Sequence, residues 1–348
     1  MKKTPKELGY YFPAEWETHA ATWLSFPHNL ETWPQPKMEK VYPVFLDFIK
    51  TLSLHEQVHI NVQNLEMKNW ILRALEQRAA DLSKVSCHLH PTNDAWCRDY
   101  GPAFLINPTL VEKKIIVDWE FNAWGQKYPL FENDNRIPTL IAEKLKIPLY
   151  KPQIVMEGGS LDFNGKGSVL TTKSCLLNTN RNVHLTIKQI EWALYDYYGV
   201  EQVLWLENGL AGDDTDGHID NLTRFVNEDT IITMVEHDKN SENFHILKNN
   251  LEKLKKMRLI NGKQLNIIEI PMPPKMVEDD VLLPGSYANF YIANDSVIVP
   301  IYQTDRDENA LEILQDCFPG REVIGLNSRD IIWGLGSFHC LTQQEPLV

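Results

Sequence analysis

A cysteine near the carboxyl end of the sequence is the first residue that could do chemistry. Positions 334–340 read GLGSFHC, so Cys340 follows two glycines and a histidine. Segments near a chain end usually tolerate change. A thiol held there by a strand is a candidate nucleophile, because the thiolate is the reactive form of cysteine. His339 is beside it, but neighbouring residues of a strand face opposite sides. We therefore expect the base that serves Cys340 to come from another segment.

The densest polar cluster is a candidate source of that base. Positions 212–221 read GDDTDGHIDN. His218 and Asp220 are two residues apart, so in a strand both side chains point to one face while Ile219 points to the core. A histidine beside a carboxylate can take and return protons near neutral pH. The cluster therefore predicts an acid–base pair.

The same cluster permits two other interpretations. Oxygen-rich loops with aspartates at alternate positions bind Ca²⁺, and an aspartate with a histidine binds Mn²⁺ or Zn²⁺. The spacing does not match an EF-hand, because no glutamate stands at the last position of such a loop. The second interpretation is a solvated acidic loop. The apolar strand that follows, LTRFV, favours an inward-facing cluster instead.

Two further motifs, WCRDYGP and EGGS, carry carboxylates. In an extended segment Arg98 and Asp99 point apart, so we expect Asp99 in the site and Arg98 in a structural ion pair. Trp96 could form an aromatic wall for a planar cation. An ion pair ahead of a turn is the plainer interpretation of the first motif. In the second, two glycines after Glu157 let the backbone approach another group, although a tight turn explains the motif more simply.

Composition and charge narrow the class of protein. The chain has 348 residues and 43% hydrophobic residues, enough for a large core. No apolar run approaches the roughly 18 residues of a membrane span, and the basic start MKKTPKE leads into no signal-peptide core. The net charge of −13 favours solubility and attraction of a cationic substrate. No basic stripe indicates nucleic acid as a partner.

The cysteines indicate a reducing compartment. Their number is five, which is odd, and no two have CxxC spacing. This usage is typical of reduced thiols in a cytoplasmic protein rather than of a disulfide framework or a zinc site. Cys87, Cys97, Cys175 and Cys317 lie in apolar or mixed surroundings, and we expect each to be a small core residue.

The elements that must position these residues alternate between helices and strands. Apolar residues at three- and four-residue spacing predict helices at 37–54, 66–82, 186–198, 240–257 and 306–317. Strands are predicted at 58–62, 85–89, 203–206, 265–270 and 322–326. No linker-like tract separates two halves, which predicts an α/β fold in a single domain.

A weak internal repeat accompanies this alternation. Five times a polar or glycine-bearing cluster precedes an apolar strand: HAATWLSFP, RDYGPAFLI, EGGSLDF, DGHIDNLTRFV and PGSYANFYI. Hairpin signals, NGKG, NED and AND, follow three of them. The segment around Cys340 would close a ring with the N-terminal unit or stand as its own strand. Strand-pair-plus-helix units packed around one centre explain the pattern, and an ordinary open sheet explains it equally well.

Four motifs in order carry a resemblance to a known family. They are WCRDYGP, EGGS followed by LTTKSCLLNTNRN, GDDTDGHIDNLTRFV, and the terminal HCLTQQEP. Over nearly the whole chain the sequence resembles the agmatine deiminases and their bacterial peptidylarginine-deiminase-like relatives, in the guanidino-group-modifying superfamily. The resemblance implies one catalytic domain over 1–348, built as a five-unit, pseudo-fivefold α/β propeller of the pentein type. It also implies a hydrolase that releases ammonia from a small cationic guanidino substrate, most simply agmatine, without a metal or organic cofactor.

The resemblance implies a role for each residue of the site. Cys340 would be the nucleophile that becomes an amidino-cysteine, and His218 the general acid and base. Asp99 and Asp220 would hold the guanidinium nitrogens. Glu157 would orient the imidazole.

The resemblance also places Trp96 and Asp214 on the substrate channel, and it has one departure. The agmatine-specific enzymes usually read GGGNIHC before the nucleophile, whereas this chain reads GLGSFHC. Leu335, Ser337 and Phe338 leave the cysteine and its histidine neighbour intact but change their surroundings. The sequence therefore specifies the reaction type better than the substrate.

Other functions fit part of the sequence. Free arginine and peptidyl-arginine are alternative substrates, and free arginine would need a cation such as Arg181 or Arg224 for its carboxylate. An amidinotransferase would need a second amine site. From other classes, a metal-dependent hydrolase could use the Asp/His cluster, and a polyamine-binding module could use the acidic pocket without catalysis. A homodimer is the expected assembly, because most soluble oligomers are twofold.

Overall fold

The computed structural model describes residues 3–348, which form an α/β fold. The strands are β1 His19–Ser25, β2 Gln57–Asn61, β3 Val85–His88, β4 Ala103–Ile106, β5 Lys114–Val117, β6 Leu149–Tyr150, β7 Asp162–Phe163, β8 Ser168–Thr172, β9 Gln202–Leu206, β10 Thr223–Phe225, β11 Thr230–Val235, β12 Asn266–Pro271, β13 Met276–Glu278, β14 Val281–Leu283, β15 Tyr291–Ile292, β16 Ser296–Ile301, β17 Glu322–Asn327 and β18 Thr342–Pro346. The helices are α1 Lys37–Ser53, α2 Leu65–Gln77, α3 Cys97–Tyr100, α4 Ala123–Gln126, α5 Ile137–Leu145, α6 Lys173–Leu176, α7 Thr179–Asn182, α8 Ile187–Tyr198, α9 Phe244–Leu254 and α10 Asp307–Cys317.

Five sheets within residues 3–348 share one strand order. In each, a central strand pairs antiparallel with one neighbour and parallel with the other, in the orders β4-β5-β6, β7-β8-β9, β10-β11-β12, β15-β16-β17 and β18-β1-β2, the last extended by β3. In the last sheet the C-terminal strand pairs with the N-terminal one, so that Thr342 lies opposite Leu24. This pairing confirms that the segment after Cys340 joins the N-terminal unit.

The composition of the central strands follows from their burial. Every residue of β8 and β11 is buried, and both strands are rich in β-branched residues that suit a pleated, packed surface. The longer helices are amphipathic and bury one face. α8 begins with a capping box between Thr186 and Gln189 and ends at Gly199 in the left-handed conformation, as these residue types favour.

The predicted elements are present, with some ends displaced. The predicted helix 66–82 ends at Gln77, because Ala79 adopts a positive φ of 55°. The predicted helix 240–257 begins only at Phe244, because the Asp238 carboxylate accepts the backbone N–H of Asn240 in a local turn. The three hairpin signals are confirmed between β7 and β8, β10 and β11, and β15 and β16.

The repeat is present, but one of its members was misplaced. HAATWLSFP is β1, a central strand, and not the antiparallel strand that begins a sheet. The strand equivalent to β4, β7, β10 and β15 is β18, which follows the turn containing Cys340. Each of the five antiparallel strands therefore comes directly after a short polar turn.

Apolar side chains fill the space between sheets and helices in three buried clusters. Ile219 is fully buried in one of them, as the sequence predicted. Among residues 3–348, none of the helices combines the length and the apolar character that a membrane crossing requires.

Candidate active site

The polar turns that precede the antiparallel strands meet at one place. Asp99 lies in α3, Glu157 stands directly before the short 3₁₀ turn Gly158–Ser160, and His218 directly before the next such turn, Ile219–Asn221. All three side chains are buried, with exposures of 0–4%. The turn with Cys340 joins them from the C-terminal segment.

Cys340 is in a turn, and not in a strand as the sequence suggested, because β18 begins two residues later. Its sulfur accepts a hydrogen bond from Asn289 Nδ2 at 3.1 Å and lies 3.5 Å from Asp220 Oδ2. Burial and the carboxylates of Asp220 and Asp99 hold the pKa of the thiol well above its usual value. The sulfur is therefore protonated at neutral pH.

Asp220 is fixed by the histidine that precedes the cysteine. His339 Nδ1 lies 2.7 Å from Asp220 Oδ2, and His339 Nε2 lies 2.9 Å from Glu15 Oε2. Burial alone would raise the pKa of Asp220, but its bond to His339 lowers it. Both ring nitrogens of His339 are therefore occupied, which supports the prediction that this residue is not the base of Cys340. The other oxygen of Asp220, Oδ1, has no partner and is free for a ligand.

Asp99 is held by two donors and faces the imidazole of His218. Trp124 Nε1 donates to its Oδ2, and the backbone N–H of Gly159 donates to its Oδ1, each at 2.9 Å. Burial, and to a lesser extent the neighbouring Asp220, raise the pKa of Asp99 to about 6, although His218 opposes this shift. The ion pair predicted for Arg98 is present, since its side chain pairs with Glu15 at 3.1 Å. The segment is one helical turn rather than extended chain.

Among residues 3–348, neither ring nitrogen of His218 has a partner in hydrogen-bond geometry, and the side chain is fully buried. Asp99 Oδ1 lies 3.6 Å from its Nδ1. Burial alone would lower the pKa of this imidazole, but the Asp99 carboxylate and, further, Cys175 and Asp220 raise it well above its usual value. An unpartnered, buried and protonated imidazole is suited to donate a proton to a ligand. His218 precedes a 3₁₀ turn, so the predicted strand is wrong, although both predicted side chains enter the site.

Gly159 explains why the EGGS motif needs its second glycine. A Cβ at this position would lie 2.6 Å from His218 Nδ1, 2.8 Å from Asp99 Oδ1 and 3.0 Å from Asp220 Oδ2. The backbone thus passes directly against three functional groups, as the motif suggested.

Glu157 does not bond directly to His218. Its carboxylate accepts from Arg181 Nε at 2.6 Å, and Cys175 Sγ lies 4.0 Å from its other oxygen. Glu157, Cys175 and His218 each offer an atom within 4.8 Å of the others, and they form the one group of potential metal ligands in the described part of the chain. In the Asp/His loop that could have bound a metal, carboxylates instead accept hydrogen bonds from the protein. Asp213, for instance, accepts from the backbone N–H of His218.

The site opens to solvent through a cavity of about 210 Å³, which we call the mouth. Its lining includes Trp96 and Asp214, the two residues predicted for a channel, together with Asp99 and Cys340. The remaining lining residues are Glu31, Thr32, Asp94, Trp124, Tyr128, Thr215, Val281, Trp333, Gly334, Leu335 and Gly336. The mouth is therefore aromatic and acidic, and among residues 3–348 no lysine, arginine or histidine belongs to its lining.

Sequence reasoning missed several buried residues around the site. Asn289 bonds the sulfur of Cys340, and its position in the fifth repeat cluster, PGSYANFYI, was a usable signal. Cys175 and Arg181 lie in the motif LTTKSCLLNTNRN, which carried the resemblance but assigned neither a place in the site, and Glu15 gave no signal, because its partners are far away in sequence.

The chain is similar to known proteins over nearly its whole length. The sequence model of the Porphyromonas-type peptidyl-arginine deiminases matches residues 11–346. A Legionella pneumophila (strain Paris) protein provisionally named agmatine deiminase is 35% identical over 99% of this chain and 98% of its own length. The solved agmatine deiminase of Enterococcus faecalis is 32% identical, with a TM-score of 0.92 over 99% of this chain and 98% of that one. A C. jejuni agmatine deiminase with a cysteine replaced by serine and substrate bound is 32% identical, with a TM-score of 0.87 over 97% and 96% of the two chains.

Proposed function

Because the chain belongs to the Porphyromonas-type peptidyl-arginine deiminase family, we propose that it hydrolyses agmatine to N-carbamoylputrescine and ammonia. One observation carries this proposal. The thiol of Cys340 lies beside Asp220 in a buried site where Asp99 and the unpartnered His218 face each other. Carboxylates on two sides of a thiol suit a planar cation with donors in a fixed fork.

In our proposal the substrate itself activates the nucleophile. Burial and the two carboxylates keep the thiol protonated in the empty site, because both disfavour a further negative charge there. A guanidinium between Asp99 and Asp220 reverses this field, and the thiol proton leaves to solvent. Asn289 then donates to the thiolate. Glu157, fixed by Arg181, keeps negative charge close to His218.

The chemistry proceeds in two halves. The sulfur of Cys340 bonds to the guanidinium carbon, His218 gives its proton to one terminal nitrogen, the carbon–nitrogen bond breaks, and ammonia leaves. His218 then takes a proton from water, and the hydroxide oxygen bonds to the carbon of the amidino-cysteine. The carbon–sulfur bond breaks as the hydroxyl proton of the tetrahedral centre passes to the departing sulfur, which restores the thiol, and the ureido product is released. The residues of this chain supply every group in the sequence of steps.

The mouth favours agmatine over free arginine as the substrate. Asp214 forms an ion pair with Lys127 at 3.5 Å, whereas Glu31 and Asp94 attract the terminal ammonium of agmatine and repel an α-carboxylate. The two arginines that could have met that carboxylate are engaged elsewhere. Arg181 pairs with Glu157, and Arg224 pairs with Asp162 at 2.6 Å.

The arrangement of the sheets, the location in the cell and the oligomeric state belong to the same proposal. We infer that the five sheets form a five-unit propeller in one catalytic domain over 1–348, since each contributes its polar turn to one site. Five free cysteines support a cytoplasmic location. A twofold homodimer remains the expectation from general frequency.

Ammonia release from agmatine, arginine and a blocked arginine peptide tests the proposal, together with intact-mass analysis. We expect ammonia chiefly from agmatine, a protein adduct with the mass of agmatine less ammonia, and loss of both in Cys340→Ala. Cys317→Ala, which removes a thiol remote from the site, is the matched control and keeps both. Activity that survives iodoacetamide but not EDTA would instead support a metal-dependent hydrolase. Binding of agmatine without ammonia release would support a polyamine-binding module.

A further inference from the structure

One residue of the tripeptide at positions 334–336, which leads into Cys340, has a side chain that can face the mouth. A Cβ at Gly334 would lie 2.8 Å from the Trp96 ring, and one at Gly336 would lie 2.4 Å from it. Neither position can carry a side chain without displacing the indole. Leu335, between them, lines the mouth together with Cys340. It is therefore the residue of this tripeptide that can contact a substrate through its side chain.

Leu335 adopts a backbone conformation that L side chains rarely adopt. Its φ is 68° and its ψ is 13°, in the left-handed region that favours glycine. The side chain is only partly buried, so deep burial does not offset this cost. Backbone strain of this kind concentrates at functional sites, where surrounding structure maintains it.

The surrounding structure does hold this turn in place. The backbone N–H of Leu335 donates to the carbonyl of Ile332 at 2.9 Å. Trp33 Nε1 donates to the carbonyl of Ile331 at 3.1 Å. After the turn, the hydroxyls of Ser328 and Ser337 are 2.6 Å apart. These bonds hold the backbone at Leu335, and its partly buried side chain packs against the apolar cluster that contains Ile332.

From these contacts we propose that Leu335 is a specificity-determining residue. Its side chain narrows the mouth, so that the site accepts a guanidinium on an unbranched aminoalkyl chain and rejects one whose chain carries a branch. The inference rests on the proposed function and names the substrate class for that site, linear aminoalkyl guanidines. The charge of the mouth and its width at Leu335 then act separately. The charge rejects a carboxylate, and the width rejects any branch about as large as a carboxylate.

Argininamide separates these two effects. It carries a neutral carboxamide branch where agmatine has hydrogen, and it keeps the cationic ends of agmatine. One added group in a close-fitting pocket is typically worth about 10- to 200-fold in kcat/KM. We expect the ratio of kcat/KM for argininamide to that for agmatine to rise at least about tenfold in Leu335→Gly, with a smaller rise in Leu335→Ala. Arginine should remain a poor substrate of both variants, because the acidic residues of the mouth are unchanged.

Lys146→Gly is the matched control. Lys146 has φ 56° and ψ 43°, is exposed, and ends α5 away from the site. This variant places glycine at another left-handed position and should leave the substrate ratio unchanged. An unchanged ratio in Leu335→Ala or Leu335→Gly enzyme that still hydrolyses agmatine would overturn the role of Leu335 alone. Wild-type enzyme that releases no ammonia from agmatine would overturn the proposed function, and this inference with it.

Discussion

At the scale of single residues, the site is a balance of charges around one sulfur. Asp220 and Asp99 disfavour the thiolate, and Asn289 favours it. His339 bonds to Asp220 rather than to the sulfur. The empty site therefore disfavours the reactive thiolate, and we infer that the reactivity of Cys340 depends on the charge of the ligand that binds.

Replacing Asn289 by alanine removes the donor that faces the sulfur. A hydrogen bond to a charged group contributes about 1.5–3 kcal/mol, so kcat/KM should fall roughly 10- to 100-fold. The rate of alkylation of Cys340 by iodoacetamide at fixed pH should fall as well, because the pKa of the thiol rises further. Asn250→Ala is the control, since Asn250 is equally buried but bonds the backbone near Glu207. Alkylation of Asn289→Ala at the wild-type rate would contradict this role.

The pKa of Asp99 predicts an acid limit to activity. Its value in the free enzyme is about 6, and only the carboxylate can pair with a cation. We therefore expect kcat/KM to fall as the pH falls through about 6, because kcat/KM reports the ionisation of the free enzyme.

Asp99→Asn should remove this acid limb and lower kcat/KM by roughly 30-fold or more, as expected for about 2–5 kcal/mol when a buried charge loses its partner. Asp118→Asn serves as the control, because burial also raises the pKa of Asp118, but that residue pairs with Lys151. Persistence of the limb in Asp99→Asn would assign it to another group.

At the scale of elements, the short turns matter more than the helices and strands they join. Each antiparallel strand is preceded by a turn of a few residues, and these turns supply Asp99, Glu157, His218 and Cys340. The sheets fix where each turn begins, and the turns fix where each side chain points. A small change of turn geometry should therefore affect the chemistry before it affects the fold.

Gly159→Ala tests this separation. The added Cβ would meet His218 Nδ1 at 2.6 Å and Asp99 Oδ1 at 2.8 Å, so both groups must move. Displacement of reacting groups by about 1 Å can cost on the order of 100-fold in rate. We expect a loss of kcat of this size with an unchanged circular dichroism spectrum. Gly320→Ala, where a Cβ meets nothing within 4 Å, is the control. Wild-type kcat in Gly159→Ala would refute the crowding argument.

At the scale of the whole molecule, one buried carboxylate ties distant parts of the chain together. Glu15 accepts from Arg98 and from Arg224, contacts His339, and accepts the backbone N–H of Ile292. These partners belong to four of the five sheets or to the turns before them. Burial alone would raise the pKa of Glu15, but Arg224, His339 and Arg98 lower it well below its usual range.

Glu15→Gln should lower the free energy of unfolding by about 3–5 kcal/mol, because it leaves buried cations without their partner. The measurement is urea unfolding followed by fluorescence. Because the folded pKa is lowered, the contribution of Glu15 is complete above its unfolded pKa and is lost as the pH falls through the folded value. The free energy of unfolding of Glu15→Gln should therefore depend less on pH in the acid range than that of the wild type. Glu39→Gln, at an exposed helix position, should stay within about 0.5 kcal/mol of wild type. A free energy of unfolding of Glu15→Gln equally close to the wild-type value would contradict the bridging role.

The sequence by itself determined the parts of this protein that depend on local pattern and residue type. Helix periodicity located five helices, turn chemistry located three hairpins, and the motif GDDTDGHIDN located His218 and Asp220. These features depend on neighbours within a few residues, so a single chain displays them. Residue types and short motifs also singled out Cys340, Asp99 and Glu157 as candidates, and the family resemblance implied their roles.

Only the tertiary structure decided which distant groups meet. Nothing near Glu15 in the sequence indicates its pairing with Arg224, and nothing near Cys175 indicates its place beside His218. Strand pairing also decided that β18 closes on β1, which sets the position of Cys340. The physical reason is that burial and charge in the site are sums over groups from separate turns. The thiol pKa and the free oxygen of Asp220 exist only once those turns are packed together.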